Sequence, residues 1–85
     1  MRELIAVETR LNAEGELLPQ SFNWRGHRLR VLSHGRRWEQ AGQLHFLVQD
    51  DLQGTYELAF EPGEGRWSLL RSPQDFGGRG PQGRI

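Results

Sequence analysis

Apolar residues in this chain recur at every second position, in short runs separated by glycine, proline and acidic clusters. No stretch carries a sustained i, i+3, i+4 stripe, so helices are not expected. Alternation of this kind puts one face of a strand inward and the other toward water. Residues 3–11 set Ile5, Val7 and Leu11 against Glu8 and Arg10. Phe22, Trp24, Leu29 and Val31 form the inner face of a hairpin closed by Arg25-Gly26. Leu44, Phe46 and Val48 share one face, as do Tyr56, Leu58 and Phe60, and then Trp67 and Leu69. Asn12 to Glu16, Asp50 to Gly54 and Pro62 to Gly65 read as turns, and Pro19 as an interruption. Gly35 to Gly42 breaks the pattern and reads as a loop or a single helical turn, with Trp38 inside it.

The expected fold is therefore all-β. Five or six short antiparallel strands in hairpins close a small barrel or a strongly curled sheet. The domain is expected over residues 1–72. Residues 73–85, rich in glycine, arginine and proline, read as a flexible tail.

A chain of 85 residues, 35% of them apolar, supports one small core. It leaves no room for a buried cofactor, and none is expected. Cysteine is absent, which excludes disulfides and zinc–thiolate sites and favours the cytoplasm. The longest apolar run, Leu4 to Val7, is too short for a membrane span or a signal peptide, so no membrane partner is expected.

Formal charge sums to zero but is strongly segregated. Residues 1–20 carry −2, residues 21–38 carry +5, residues 39–64 carry −6 and residues 65–85 carry +3. Two arrangements fit. In one, Arg25, Arg28, Arg30, Arg36 and Arg37 form a basic surface for nucleic acid or an acidic protein. In the other, acids of the 39–64 segment, such as Glu57 and Glu61, neutralise these arginines across strands.

Catalytic patterns are weak. Ser33 and His34 are sequence neighbours and would point to opposite faces of a strand. Asp50-Asp51 falls in a turn, where such pairs are usually solvated. His27, His34 and His45 match no short metal-ligand spacing and read as surface residues or backbone binders. Neither enzyme activity nor a metal site is expected. Trp24 and Trp67 fit the core, whereas Trp38 falls outside the inward pattern and reads as an interface residue.

One segment runs Pro19-x-x-Phe22-x-Trp24-Arg25-Gly26 and on to Val31, followed by Trp38. Tyr56-Glu57-Leu58 and Gly65-x-Trp67-x-Leu69 come later. Over residues 3–72 this pattern resembles a family of small bacterial proteins of unknown function, some encoded near translesion DNA polymerases. His45-Phe46 stands where that family carries a tryptophan-rich segment. The resemblance implies an accessory in DNA damage tolerance and carries over no catalytic residue. The sequence thus points to a non-enzymatic binding module using Arg25, Arg28, Arg30, Arg36, Arg37 and Trp38. The alternative is a self-assembling protein, a homodimer in its simplest form, that uses a sheet edge and Trp38.

Overall fold

The structure, a computed structural model, describes residues 2–76. The strands are β1 (Glu3–Leu11), β2 (Leu17–Trp24), β3 (His27–Gln40), β4 (Gln43–Asp50), β5 (Thr55–Glu61) and β6 (Arg66–Arg71). A 3-10 turn, Pro73–Phe76, follows. Each strand pairs antiparallel with the next, and β1 pairs with β6 to close a barrel. The all-β expectation holds. The tail expected over 73–85 falls largely outside the described residues. Its first part packs onto the barrel, where Asp75 accepts a 2.8 Å bond from the Ser72 amide. None of the described helices is long and apolar enough to cross a membrane.

The turns follow from local chemistry. Arg25-Gly26 and Ala41-Gly42 both have positive φ at each residue, 50° and 80°, then 53° and 78°. That is the type I′ geometry whose twist matches the flanking strands. Asn12 holds the β1–β2 loop, accepting bonds from the Glu14 and Glu16 amides at 2.9 and 2.8 Å. Asp50 does the same for the β4–β5 turn, bonding the Leu52 and Gly54 amides at 3.0 and 2.8 Å. Asp50 also accepts the Tyr56 hydroxyl at 3.2 Å. The expected solvated pair is therefore split. Asp50 is buried as a turn anchor, because its two oxygens replace water with three donors, while Asp51 is exposed.

Proceeding around the barrel shows its pitch. Ile5 connects through Trp67, Phe60 and Leu44 to Glu39, whereas its neighbour Ala6 connects through Asn23 to Arg28. Both routes end on β3, far apart along it, so the strands are steeply tilted. Inside sit Phe22, Phe46, Val48, Tyr56, Leu58, Trp67 and Leu69. Aromatic pairs knit them together, with Phe22–Tyr56 at 5.2 Å and Phe60–Trp67 at 4.9 Å between centroids. Ile5, Val7, Trp24, Leu29, Val31, Leu44 and Phe60 pack around this cluster, matching their inward parity. Leu11 does not. It is 66% exposed, because β1 runs on past the barrel wall with β2 as its one neighbour among the described residues.

The main correction concerns Gly35 to Gly42. No loop or helical turn forms there. β3 runs unbroken to Gln40, and Ala41-Gly42 makes the turn. Register shifts between Val31 and Ser33, and between His34 and Arg37, bend the strand. Each shift resets the alternation of faces, so the period of two vanishes from the sequence although the strand persists. Pro19 likewise lies within β2. Glu8 faces Ser21 while Thr9 faces Pro19, leaving Gln20 as the bulged residue.

Candidate functional site

The register assembles one row of side chains across the outer face of the barrel. Leu4 lies beside Ser68, then Ala59, then His45, then Trp38. An outer row should be wet. Instead Ser68, Ala59 and His45 are only 4%, 2% and 7% exposed. Long neighbours lie over these shorter side chains. Arg2 reaches across to the Gln43 side-chain oxygen at 3.4 Å, and the Trp38 ring stacks on His45 at 5.1 Å with 15° between planes. This wall is a built surface rather than a solvated one.

A polar network continues from His45. Its Nδ1–H donates to Glu57 at 2.8 Å, and Arg71 Nε donates to the other Glu57 oxygen at 2.7 Å. Glu57 is buried, so these two donors replace its lost hydration. Arg71 in turn lies 4.2 Å over the Phe76 ring. At the other end, the Arg36 guanidinium lies 5.2 Å over the Trp38 ring, and Trp38 Nε1 donates to Gln40 at 3.1 Å. The network fixes His45, His45 supports Trp38, and Arg36 closes the stack. His45 is thus neither a surface residue nor a backbone binder, as expected from sequence, because Glu57 lies diagonal to it on β5. His34 does bond backbone, meeting the Pro19 carbonyl at 2.8 Å.

Beside this stack is a hollow of about 220 Å³ on the β3–β4 face. Ser33, Gly35, Arg36, Leu47 and Gln49 contribute to its lining. Gly35 adds no side chain to this lining; a Cβ there would meet the Leu47 carbonyl oxygen at an ordinary contact distance of 3.4 Å. The hollow offers an apolar floor, an amide, a hydroxyl and a cation next to an aromatic ring.

The basic segment is divided by its partners. Arg25 pairs with Glu3 at 3.3 Å and lies 4.5 Å over Trp24. Arg28 pairs with Glu8, and Arg37 with Glu16 at 2.8 Å. The Asn12 side chain, and then the Arg37 charge, hold the Glu16 carboxyl below its usual range. Among the described residues, Arg30 and Arg36 have no carboxylate partner. Neutralisation therefore comes from the 1–20 segment rather than from Glu57 and Glu61. β1 lies beside β2 and brings Glu3 and Glu8 to the β2–β3 hairpin, whereas Glu57 is committed to His45 and Arg71. Glu61 turns its carboxylate to the Glu64 amide at 2.7 Å. The six residues singled out from sequence do not form one patch. Arg36 and Trp38 are in contact, while Arg25 and Arg28 belong to the opposite end of β3.

At that end a second hollow, about 450 Å³, lies between the Arg25-Gly26 turn and the Asp50 to Gly54 turn. Trp24, Leu29, Leu52 and Tyr56 supply its apolar surface. Burial first, and the Asp50 charge second, push the Tyr56 hydroxyl up to about 12. Among the described residues no group of three His, Asp or Glu side chains could hold a metal ion.

Comparison with known proteins found no matching family, no matching curated protein and no matching solved structure.

Proposed function

We propose that this protein is a non-enzymatic β-barrel binding module whose outer β3–β4 face takes single-stranded nucleic acid. The observation that carries the reading is the Arg36–Trp38–His45 stack, in which a buried network backs a tryptophan and an arginine with no carboxylate partner among the described residues lies over it. An exposed arginine can leave the ring at little cost and pair with a phosphate. The uncovered indole then presents a flat face to a base, the sequence-tolerant contact used by single-strand binders. The hollow at Gly35 accommodates the adjoining nucleotide, with Ser33 and Gln49 as hydrogen-bonding groups. Arg30 supplies a second cation on the same strand. A role as an accessory in DNA damage tolerance, implied by the sequence resemblance, would be the setting for this activity.

The test is a titration of a short single-stranded DNA at two salt concentrations, with the parent protein, Trp38→Ala and Arg36→Ala. Two arginines engaging about two phosphates correspond to a slope of log affinity on log salt near −1.4. Trp38→Ala should weaken binding by about 1–3 kcal/mol, the usual worth of one stacked base. Arg36→Ala should flatten the salt slope. Absence of binding at low salt and millimolar DNA would overturn the reading. So would binding that both variants retain in full.

A further inference from the structure

We propose that two copies of this chain pair with each other, antiparallel, along the outer edge of β1 about a two-fold axis at Thr9. The edge is open. β1 meets β6 only over Glu3 to Ile5, and from Ala6 to Leu11 no second strand lies beside it among the described residues. Glu8, Thr9, Arg10 and Leu11 are all exposed. A strand edge with unused backbone groups is a template for another chain.

The phase of the ladder shows which groups are unused. The Asn12 amide donates to the Glu16 carbonyl at 3.0 Å, so this pair is a bonded position. Bonded and non-bonded pairs alternate along an antiparallel ladder. Arg10 opposite Leu18 is then bonded, while Leu11 opposite Leu17 and Thr9 opposite Pro19 are not. Pro19, which has no N–H to give, stands at one of the positions that needs none. The N–H and C=O groups of Thr9 and Leu11 therefore point away from β2, into the open edge.

The side chains along this edge complement themselves. With Thr9 opposite the partner's Thr9, Glu8 faces the partner's Arg10 and Val7 faces the partner's Leu11. Both pairs occur twice, as an isologous contact requires. Opposite charges directly across strands attract, and like charges repel. Of the other centres that the backbone phase allows, Leu11 would set Glu8 against the partner's Glu14, and Val7 would set Thr9 against Ile5, whose edge β6 already occupies, so one register remains. The arrangement also gives Arg10 a carboxylate, which it lacks among the described residues, and covers Leu11, which is 66% exposed.

The test is sedimentation of the full 85-residue chain over a micromolar to millimolar concentration series. A reversible monomer–dimer equilibrium is expected. Arg10→Glu, which places Glu8 against a second glutamate, should weaken it at least tenfold. Thr9→Pro should do the same by removing an edge N–H that β2 does not use. Both variants should keep the parent circular dichroism spectrum, which separates a lost interface from a lost fold. Glu8→Arg alone should be monomeric, and mixed in equal amounts with Arg10→Glu it should restore a heterodimer. Glu8 also bonds Ser21 and Arg28, so the mixture is interpreted only once Glu8→Arg is shown to fold. A parent that stays monomeric at millimolar concentration would overturn the proposal. Dimers that persist undiminished in both Arg10→Glu and Thr9→Pro would overturn it too.

Discussion

The wall formed by β4, β5 and β6 and the long strand β3 are built from similar residues under different rules. In the wall, strands of six to eight residues keep one register almost throughout, and Phe46, Val48, Tyr56, Leu58, Trp67 and Leu69 all turn inward. β3 has fourteen residues, two register shifts and not one buried residue. The wall holds the molecule together. β3 bends around it and carries Arg36, Gly35 and Trp38 on its outer side. Regular alternation concentrates stability, and bulges redirect side chains toward a surface.

The sharpest way to break this contrast is to cut the same side chain in both regions. Leu58→Ala in β5, where the leucine is fully buried, should lower unfolding stability by about 3 kcal/mol. Leu32→Ala in β3, where the leucine is 61% exposed, should change it by less than about 0.5 kcal/mol. Denaturant unfolding of both variants checks this. Equal losses would mean that β3 also belongs to the core.

A second cut separates the polar support from the apolar core. Glu57→Ala leaves His45 and Arg71 without their shared carboxylate, and should cost about 2 kcal/mol in the same assay. It should also release Trp38 from its stack, visible as a changed near-ultraviolet circular dichroism signal.

The alkaline limit of stability tests the wall from within. Tyr56 is the sole tyrosine, so its ionisation is readable by absorbance. Its folded value of about 12 lies above its ordinary value near 10. The neutral hydroxyl is thus favoured by folding. This contribution is whole below pH 10 and is lost as pH rises toward 12. Asp50→Asn should lower the midpoint only partly, since burial is the larger cause.

The smallest expected effect lies at the end of β3. Ala41 holds φ of 53° without the side chain that favours it. Ala41→Asn gives the Asn-Gly pair preferred by type I′ turns, and should raise stability by about 0.5 kcal/mol. A loss instead would show that Gln40 and Gln43 need the alanine between them.

The same contrast explains what could be read from the sequence. Tyr56, Leu58, Trp67 and Leu69 announce themselves because each step along β5 and β6 moves two residues and changes nothing else. Around Ser33 and Arg36 the phase slips twice, and a strand masquerades as a loop. Ala41-Gly42 carries no turn signal in the sequence, because alanine is not a turn residue by composition. Trp38 reads as an interface residue from sequence only because it breaks the pattern. His45 and Glu57 are twelve residues apart, and nothing local links them. Their contact is a diagonal of the β4–β5 ladder, recoverable only after the turn at Asp50 sets the register. The partners of Arg25 and Arg28 are hidden from the sequence for a related reason. β1 lies beside β2 on the side away from β3, and its acids reach past β2 to the hairpin end, so the carboxylates that Arg25 and Arg28 meet are Glu3 and Glu8.

The most direct measurement follows the backbone amide shifts as single-stranded DNA is added at low salt. Salt-sensitive shifts over residues 33–38 and 45–49 are expected if the outer β3–β4 face is the site. Shifts confined to the Arg25 to Arg28 hairpin end, where each flanking arginine already has its glutamate, would contradict it.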